Sequence, residues 1–210
     1  MSNMFEGTNL QPVRLKLGNN KFLTIWNHDE KDVRKDDEKE KIRVLGNGKK
    51  VFLFPNIDYL MKFLAREEEC NMSQFAEYKK SAERAKNGIS FPSGIVKSYN
   101  LDKVGELLEE FDPKWWDRRE LHSVIGTVKF FLDCSITFGN RDLTKYIREG
   151  FVNRGKKVSL YSFFENFPPG GFGSEEVRMH LKRYNKKEGY NIYTMLMGNL
   201  MLNSAVYKKR

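Results

Sequence analysis

The sequence predicts an α+β fold: a small N-terminal antiparallel β-sheet followed by a larger, mostly α-helical region. Three observations predict it. Apolar and polar residues alternate with period two in short runs before Pro55, and glycine turns punctuate those runs. After Pro55 the apolar residues recur with a helical period almost to the end. The chain of 210 residues is 40% hydrophobic and 13% aromatic, enough for a true core. At 31% charged, with no Ser/Gly/Pro-rich linker, it reads as a compact soluble protein rather than a disordered one.

Residues 1–12 lack periodicity and end at Pro12, so they are expected to form a flexible arm. A β-rich subdomain with one helix is expected over 13–70, and a helical region over 71–210. The first strand is Val13 to Leu17, where Arg14 and Lys16 alternate with apolar residues. Gly18-Asn19-Asn20 turns the chain into a second strand, Phe22 to Trp26. Residues 27–41 carry nearly cancelling charges around Val33 and predict an exposed loop. Ile42 to Leu45 and Val51 to Phe54 read as two further strands around Gly46-Asn47-Gly48. Asn56 is an N-cap for a helix that turns Ile57, Leu60, Met61 and Leu64 inward.

The helical region opens with Asn71 and Gln74, which have capping-box spacing, on a helix ending at Asn87-Gly88. Asn100 caps a helix with Leu101, Val104, Leu107, Leu108 and Phe111 on one face. Asp112-Pro113 starts the most hydrophobic helix, with Leu121, Val124, Ile125, Val128 and Leu132 inward. Helices follow from Gly139 to Gly150, across Leu160 to Phe164, from Ser174 through Tyr184, and from Asn191 onward.

Charge is unevenly distributed. Residues 141–210 hold 14 Lys/Arg and 6 Asp/Glu, a net of +8, whereas the other 140 residues hold 23 and 22, a net of +1. An excess confined to the last third points to a polyanion partner. Arg141, Lys145 and Arg148 share one predicted helix face, and Arg178, Lys182 and Lys186 share another. Arg154, Lys156 and Lys157 lie in a loop between them, and Tyr161 and Phe172 offer stacking faces. These residues are the candidate nucleic-acid-binding set.

Catalytic and metal chemistry find little support. His28, His122 and His180 are far apart and have no Cys or His at ligand spacing. Glu38, Glu40 and Lys41 only faintly imitate a nuclease site, and Glu109-Glu110-Asp112 is an acidic run without a partner. The glycine loop 169–174 lacks the Gly-Lys-Ser/Thr ending of a nucleotide-binding loop. No catalytic residue, metal ligand or cofactor is therefore expected. Cys70 and Cys134 read as small buried hydrophobes. With no secretory signal and no membrane-spanning run, they indicate a reducing, cytoplasmic compartment.

Two local patterns resemble the single-strand-binding unit of the Whirly and positive-cofactor coactivator families. One is Leu17-Gly18-Asn19-Asn20-Lys21-Phe22-Leu23-Thr24-Ile25; the other is Val51-Phe52-Leu53-Phe54-Pro55 leading to Tyr59 and Phe63. The resemblance spans residues 13–65 and implies binding of single-stranded DNA or RNA on the sheet. It assigns that role to Lys16, Lys21, Trp26, Arg43 and Lys50.

The function expected from the sequence is thus a non-catalytic nucleic-acid-binding protein, largely sequence-independent: a nucleoprotein or a replication or transcription accessory. Its expected partner is single-stranded nucleic acid, with no membrane; a homo-oligomer is compatible. The alternative is a protein-interaction module, such as an immunity protein or adaptor, binding an acidic partner. An enzyme acting on nucleic acid ranks third.

Overall fold

The first hairpin follows from its alternation and its turn. In the computed structural model, which describes residues 4–27, 43–66, 68–91, 96–110, 118–137, 151–153, 156–158, 175, 179, 182 and 186–207, β1 (Leu10–Leu17) and β2 (Asn20–Asn27) pair antiparallel. Leu17 stands opposite Asn20, and Gly18 takes the left-handed conformation at φ +56° that this tight turn requires. The strand begins earlier than the alternation suggests. Met4, Phe5 and Leu10 are buried, so the segment expected as a flexible arm packs into the core from Met4 onward. Arg84 secures it by donating to the carbonyl of Glu6 at 2.6 Å.

The third expected strand, Ile42 to Leu45, is reduced among the described residues to isolated bridges, Val44 to Trp26 and Gly46 to Val51. Asn71 explains the break. Its side-chain amide donates to the carbonyl of Val44 and its Oδ1 accepts from the Gly46 N–H, both at 2.9 Å. These two groups would otherwise be free for a ladder. Asn71 therefore does not form the capping box expected with Gln74. The following helix, α2 (Ala76–Lys86), has Phe75 at its N-cap position with no side-chain bond there.

β3 (Val51–Leu53) leads through Pro55 into α1 (Ile57–Ala65). The Tyr59 N–H donates to Asn56 Oδ1 at 3.1 Å, so the predicted cap is present. Leu60, Phe63 and Leu64 of α1 share one core with Tyr78, Ala82 and Ala85 of α2 and with Leu23, Ile25 and Phe54. Gly88, at φ +73°, ends α2 as its sequence indicates. β4 (Lys97–Asn100) then adds to β1, giving a sheet of order β2-β1-β4.

The remaining elements are α3 (Leu101–Glu110), α4 (Arg118–Thr137), the antiparallel pair β5 (Phe151–Asn153) and β6 (Lys156–Val158), α5 (Lys186–Leu202), and β7 (Ser204–Val206). Asn100 Oδ1 accepts from the Lys103 N–H at 3.3 Å, the cap expected for α3. Leu101, Val104, Leu107 and Leu108 are buried, as the apolar face predicts. Along α4 nearly every residue from Thr127 to Ser135 is buried, as for a central core helix. The start expected at Asp112-Pro113 lies outside the described residues, as do the loop expected at 27–41 beyond Asn27 and the expected helices at 139–150 and 160–164.

The fold is α+β, as expected. The chain forms two compact units. One comprises Met1–Tyr99, Ile136–Gly139 and Asn203–Arg210; the other comprises Asn100–Ser135 and Asn140–Leu202. Helix α2, expected to open the helical region, belongs to the core of the first. That unit also takes in the C-terminus, because β7 pairs parallel with β3. In the second, Tyr193 of α5 donates a hydrogen bond to the Leu101 carbonyl of α3 and packs edge-on against Phe131 of α4 at 5.8 Å.

Candidate nucleic-acid interface

Of the candidate set, Arg141, Lys145, Arg148, Arg154, Tyr161, Phe172 and Arg178 lie outside the described residues. Lys156 and Lys157, expected in a loop, are in β6, opposite Asn153 and Val152 of β5. In the pattern Phe-Val-Asn-Arg-Gly-Lys-Lys-Val, a glycine-containing pair between two short runs is the hairpin signal that could have found this pairing.

Lys182, Lys186 and Lys187 are exposed. Lys186 is not wholly committed to solvent. Its ammonium donates to the carbonyl of Glu110 at 3.0 Å, satisfying a backbone oxygen at the end of α3. Lys182 and Lys187 have no such bond among the described residues. The arrangement supplies ammonium groups in water, suited to phosphate or carboxylate contacts of adaptable reach.

The sheet does not offer the binding face that the Whirly-type resemblance implied. Leu23, Thr24, Ile25 and Trp26 are buried one after another, so β2 is covered on both faces over this length. Trp26 is 1% exposed, with Tyr99 edge-on at 6.3 Å and the Lys97 ammonium 5.6 Å from its ring centre. No base can stack there. Lys16 and Lys21 stand opposite each other on β1 and β2, with Lys21 exposed. Arg43 is half-buried, and its backbone N–H reaches Thr137 Oγ1 at 3.3 Å. Lys50 is exposed in the turn before β3.

Chemical machinery is sparse. Among the described residues, no group of three or more His, Cys, Asp or Glu could hold a metal ion. His122 is exposed on α4, and His28 and His180 lie outside the described residues. Cys134 is a poor nucleophile: burial, and then the Asp133 carboxylate, push its thiol well above the usual range. Cys70 is half-buried with its sulfur 3.3 Å from Ser73 Oγ, and both cysteines are free. No helix among the described residues is long and apolar enough to cross a membrane.

The sequence reading missed three positions that hold the first unit together. Asn71 has just been described. Thr137 accepts from the backbone N–H groups of both Arg43 and Val44, at 3.3 Å each. Tyr207 packs its ring on Phe54 and Phe63 and donates its hydroxyl to Glu68. No local signal gives these roles for the first two, because their partners are remote in sequence. An aromatic ring just before the basic terminus was the one hint for Tyr207.

Comparison with known proteins agrees with the geometry in setting the Whirly-type resemblance aside. No curated protein matches the chain. The crystal structure of the SatS C-terminal domain in complex with bromine superposes with a TM-score of 0.53 at 13% identity, covering 95% of this chain and 94% of that one. At that identity the likeness is one of fold. The family model of the SatS C-terminal domain matches residues 10–149, two-thirds of the sequence, and includes the whole of 13–65, the span that had resembled a single-strand-binding unit. The chain belongs to the SatS C-terminal domain family.

Proposed function

We propose that the chain is a non-catalytic binding domain whose basic C-terminal third takes single-stranded nucleic acid with little regard to sequence. The observation that carries this reading is the charge asymmetry, +8 over residues 141–210 against +1 over the rest. Exposed Lys182 and Lys187 support it, each free to contact a phosphate. Such binding rests on counterion release, so affinity falls linearly with log salt at about 0.7 per phosphate contact on a single strand.

The test is fluorescence anisotropy with labelled oligonucleotides of unrelated sequence, titrated against salt. Arg148→Glu with Lys182→Glu should weaken binding strongly and flatten the salt slope by one to two contacts' worth. The Lys182 substitution should barely change thermal stability, because Lys182 is exposed and surface substitutions cost little. Unchanged binding by the folded double variant would remove the C-terminal third as the site.

A second reading, a protein-interaction module, is favoured by a different observation. Met195, Met201 and Leu202 lie on the exposed side of α5 at 49%, 52% and 80% exposure. Methionine adapts to varied apolar partners. Binding to that surface would be insensitive to salt and lost in Met195→Lys.

A further inference from the structure

The chain leaves its second compact unit at Leu202 and re-enters the first at Asn203. The segment that re-enters is short. β7 sets Ser204, Ala205 and Val206 beside Val51, Phe52 and Leu53 in parallel register. The Val51 N–H donates to the Asn203 carbonyl and the Tyr207 N–H donates to the Leu53 carbonyl, both at 2.8 Å. The strand's own side chains bury little: Ser204 and Ala205 are half-buried, and Val206 is 41% exposed. The anchor is Tyr207. Its ring lies 5.3 Å from those of Phe54 and Phe63 and 6.5 Å from Tyr59, and its hydroxyl is held by Glu68.

The edge of β3 and this aromatic cluster together form an acceptor for an extended segment with small residues followed by a tyrosine. Recognition through main-chain bonds and one aromatic anchor does not depend on which molecule supplies the strand. We propose that residues 203–207 of a second copy fill this groove in place of the chain's own, so that two chains dimerise by reciprocal exchange of β7. Complementarity is already demonstrated by the occupant from the same chain. Exchange remakes every contact of the strand, leaving only the hinge to differ, which makes swapping a low-cost route to a dimer. The hinge has reason to be covered. Met201 and Leu202, immediately before it, are 52% and 80% exposed in the single chain. Two hinges meeting in the dimer would remove such apolar surface from water. This inference is independent of the polyanion reading.

The experiment uses the full chain, concentrated and then analysed by size exclusion with light scattering. A peptide of the sequence of residues 203–207 is added in excess before concentration; its control ends in alanine instead of tyrosine. A dimer that the tyrosine peptide suppresses at least twofold and the control leaves intact is the expected result. Tyr207→Ala, checked for folding by circular dichroism, should also lose the dimer. A chain that stays monomeric, or a dimer that persists in excess tyrosine peptide, overturns the proposal.

Discussion

Asn71 provides the sharpest test of how the first unit is held. Its side chain satisfies two main-chain groups, the carbonyl of Val44 and the N–H of Gly46, both in buried residues. In Asn71→Ala both bonds vanish, at about 1 kcal/mol each, and the two groups left without partners add about 1–3 kcal/mol of desolvation. The expected loss is about 3–5 kcal/mol, or roughly 6–20 °C in Tm for a chain of this size. Asn71→Asp separates this account from simple loss of packing. The carboxylate is isosteric and keeps the bond from Gly46, but turns an oxygen toward the Val44 carbonyl where a donor stood. It should be at least as destabilising as alanine at pH 7. That repulsion raises the folded carboxyl pKa above the unfolded value of about 4. Protonation restores a donor, so the deficit relative to wild type is smallest below about pH 4 and grows as pH rises through the folded pKa. Urea unfolding across that range reads both effects. A loss under about 0.5 kcal/mol in Asn71→Ala, the ordinary surface value, would refute the reasoning. So would an aspartate variant as stable as wild type at pH 7.

Three further outcomes follow from the structure. Burial pushes the Tyr99 phenol up to about 12 and raises those of Tyr193 and Tyr207 as well, the last also through its bond to Glu68. Their neutral forms favour folding, so stability should hold below about pH 10 and fall as pH rises through the folded values. Absorbance titration should show late-ionising tyrosines, fewer in Tyr99→Phe; all tyrosines ionising together near pH 10 in the folded chain would contradict this. A Cβ at Gly105 would lie 3.1 Å from the Tyr193 ring. Gly105→Val should therefore destabilise by about 1–3 kcal/mol in denaturant unfolding, and a neutral result would show that α3 and α5 can separate freely there. Cys134 is fully enclosed and Cys70 half-buried. A thiol reagent should modify Cys70 in the native chain and reach Cys134 only on unfolding; equal native rates would count against the packing of α4.

Much of the local structure was legible because its signals act over a few residues. Gly18 closes the first hairpin, Asn56 and Asn100 cap their helices, and Gly88 ends α2, each through a bond or backbone conformation within three or four residues. The same local logic misled at Asn71, whose spacing from Gln74 suits a capping box but whose side chain binds a segment 25–27 residues earlier. It misled again at Trp26. Strand alternation does not reveal that β2 is covered on both faces, so a buried ring could be taken for a stacking platform. Of the candidate site, the net charge was legible. How individual lysines divide between solvent and backbone was not, since Lys186 meets Glu110 only once α3 and α5 have packed.

By itself, then, the sequence determined the first hairpin, the helices α1, α2 and α3 with the caps at Asn56 and Asn100, and the concentration of positive charge in the last third. Those features depend on neighbours along the chain. The tertiary structure alone decided that residues from Met4 onward join the core, that β4 extends the first sheet, and that β7 returns from the C-terminus to β3. Such pairings close long loops, whose entropy must be offset by buried surface that both partners create together. Neither β3 nor β7 carries that information in its own three residues; it lies in the fit of Tyr207 among Phe54, Tyr59 and Phe63.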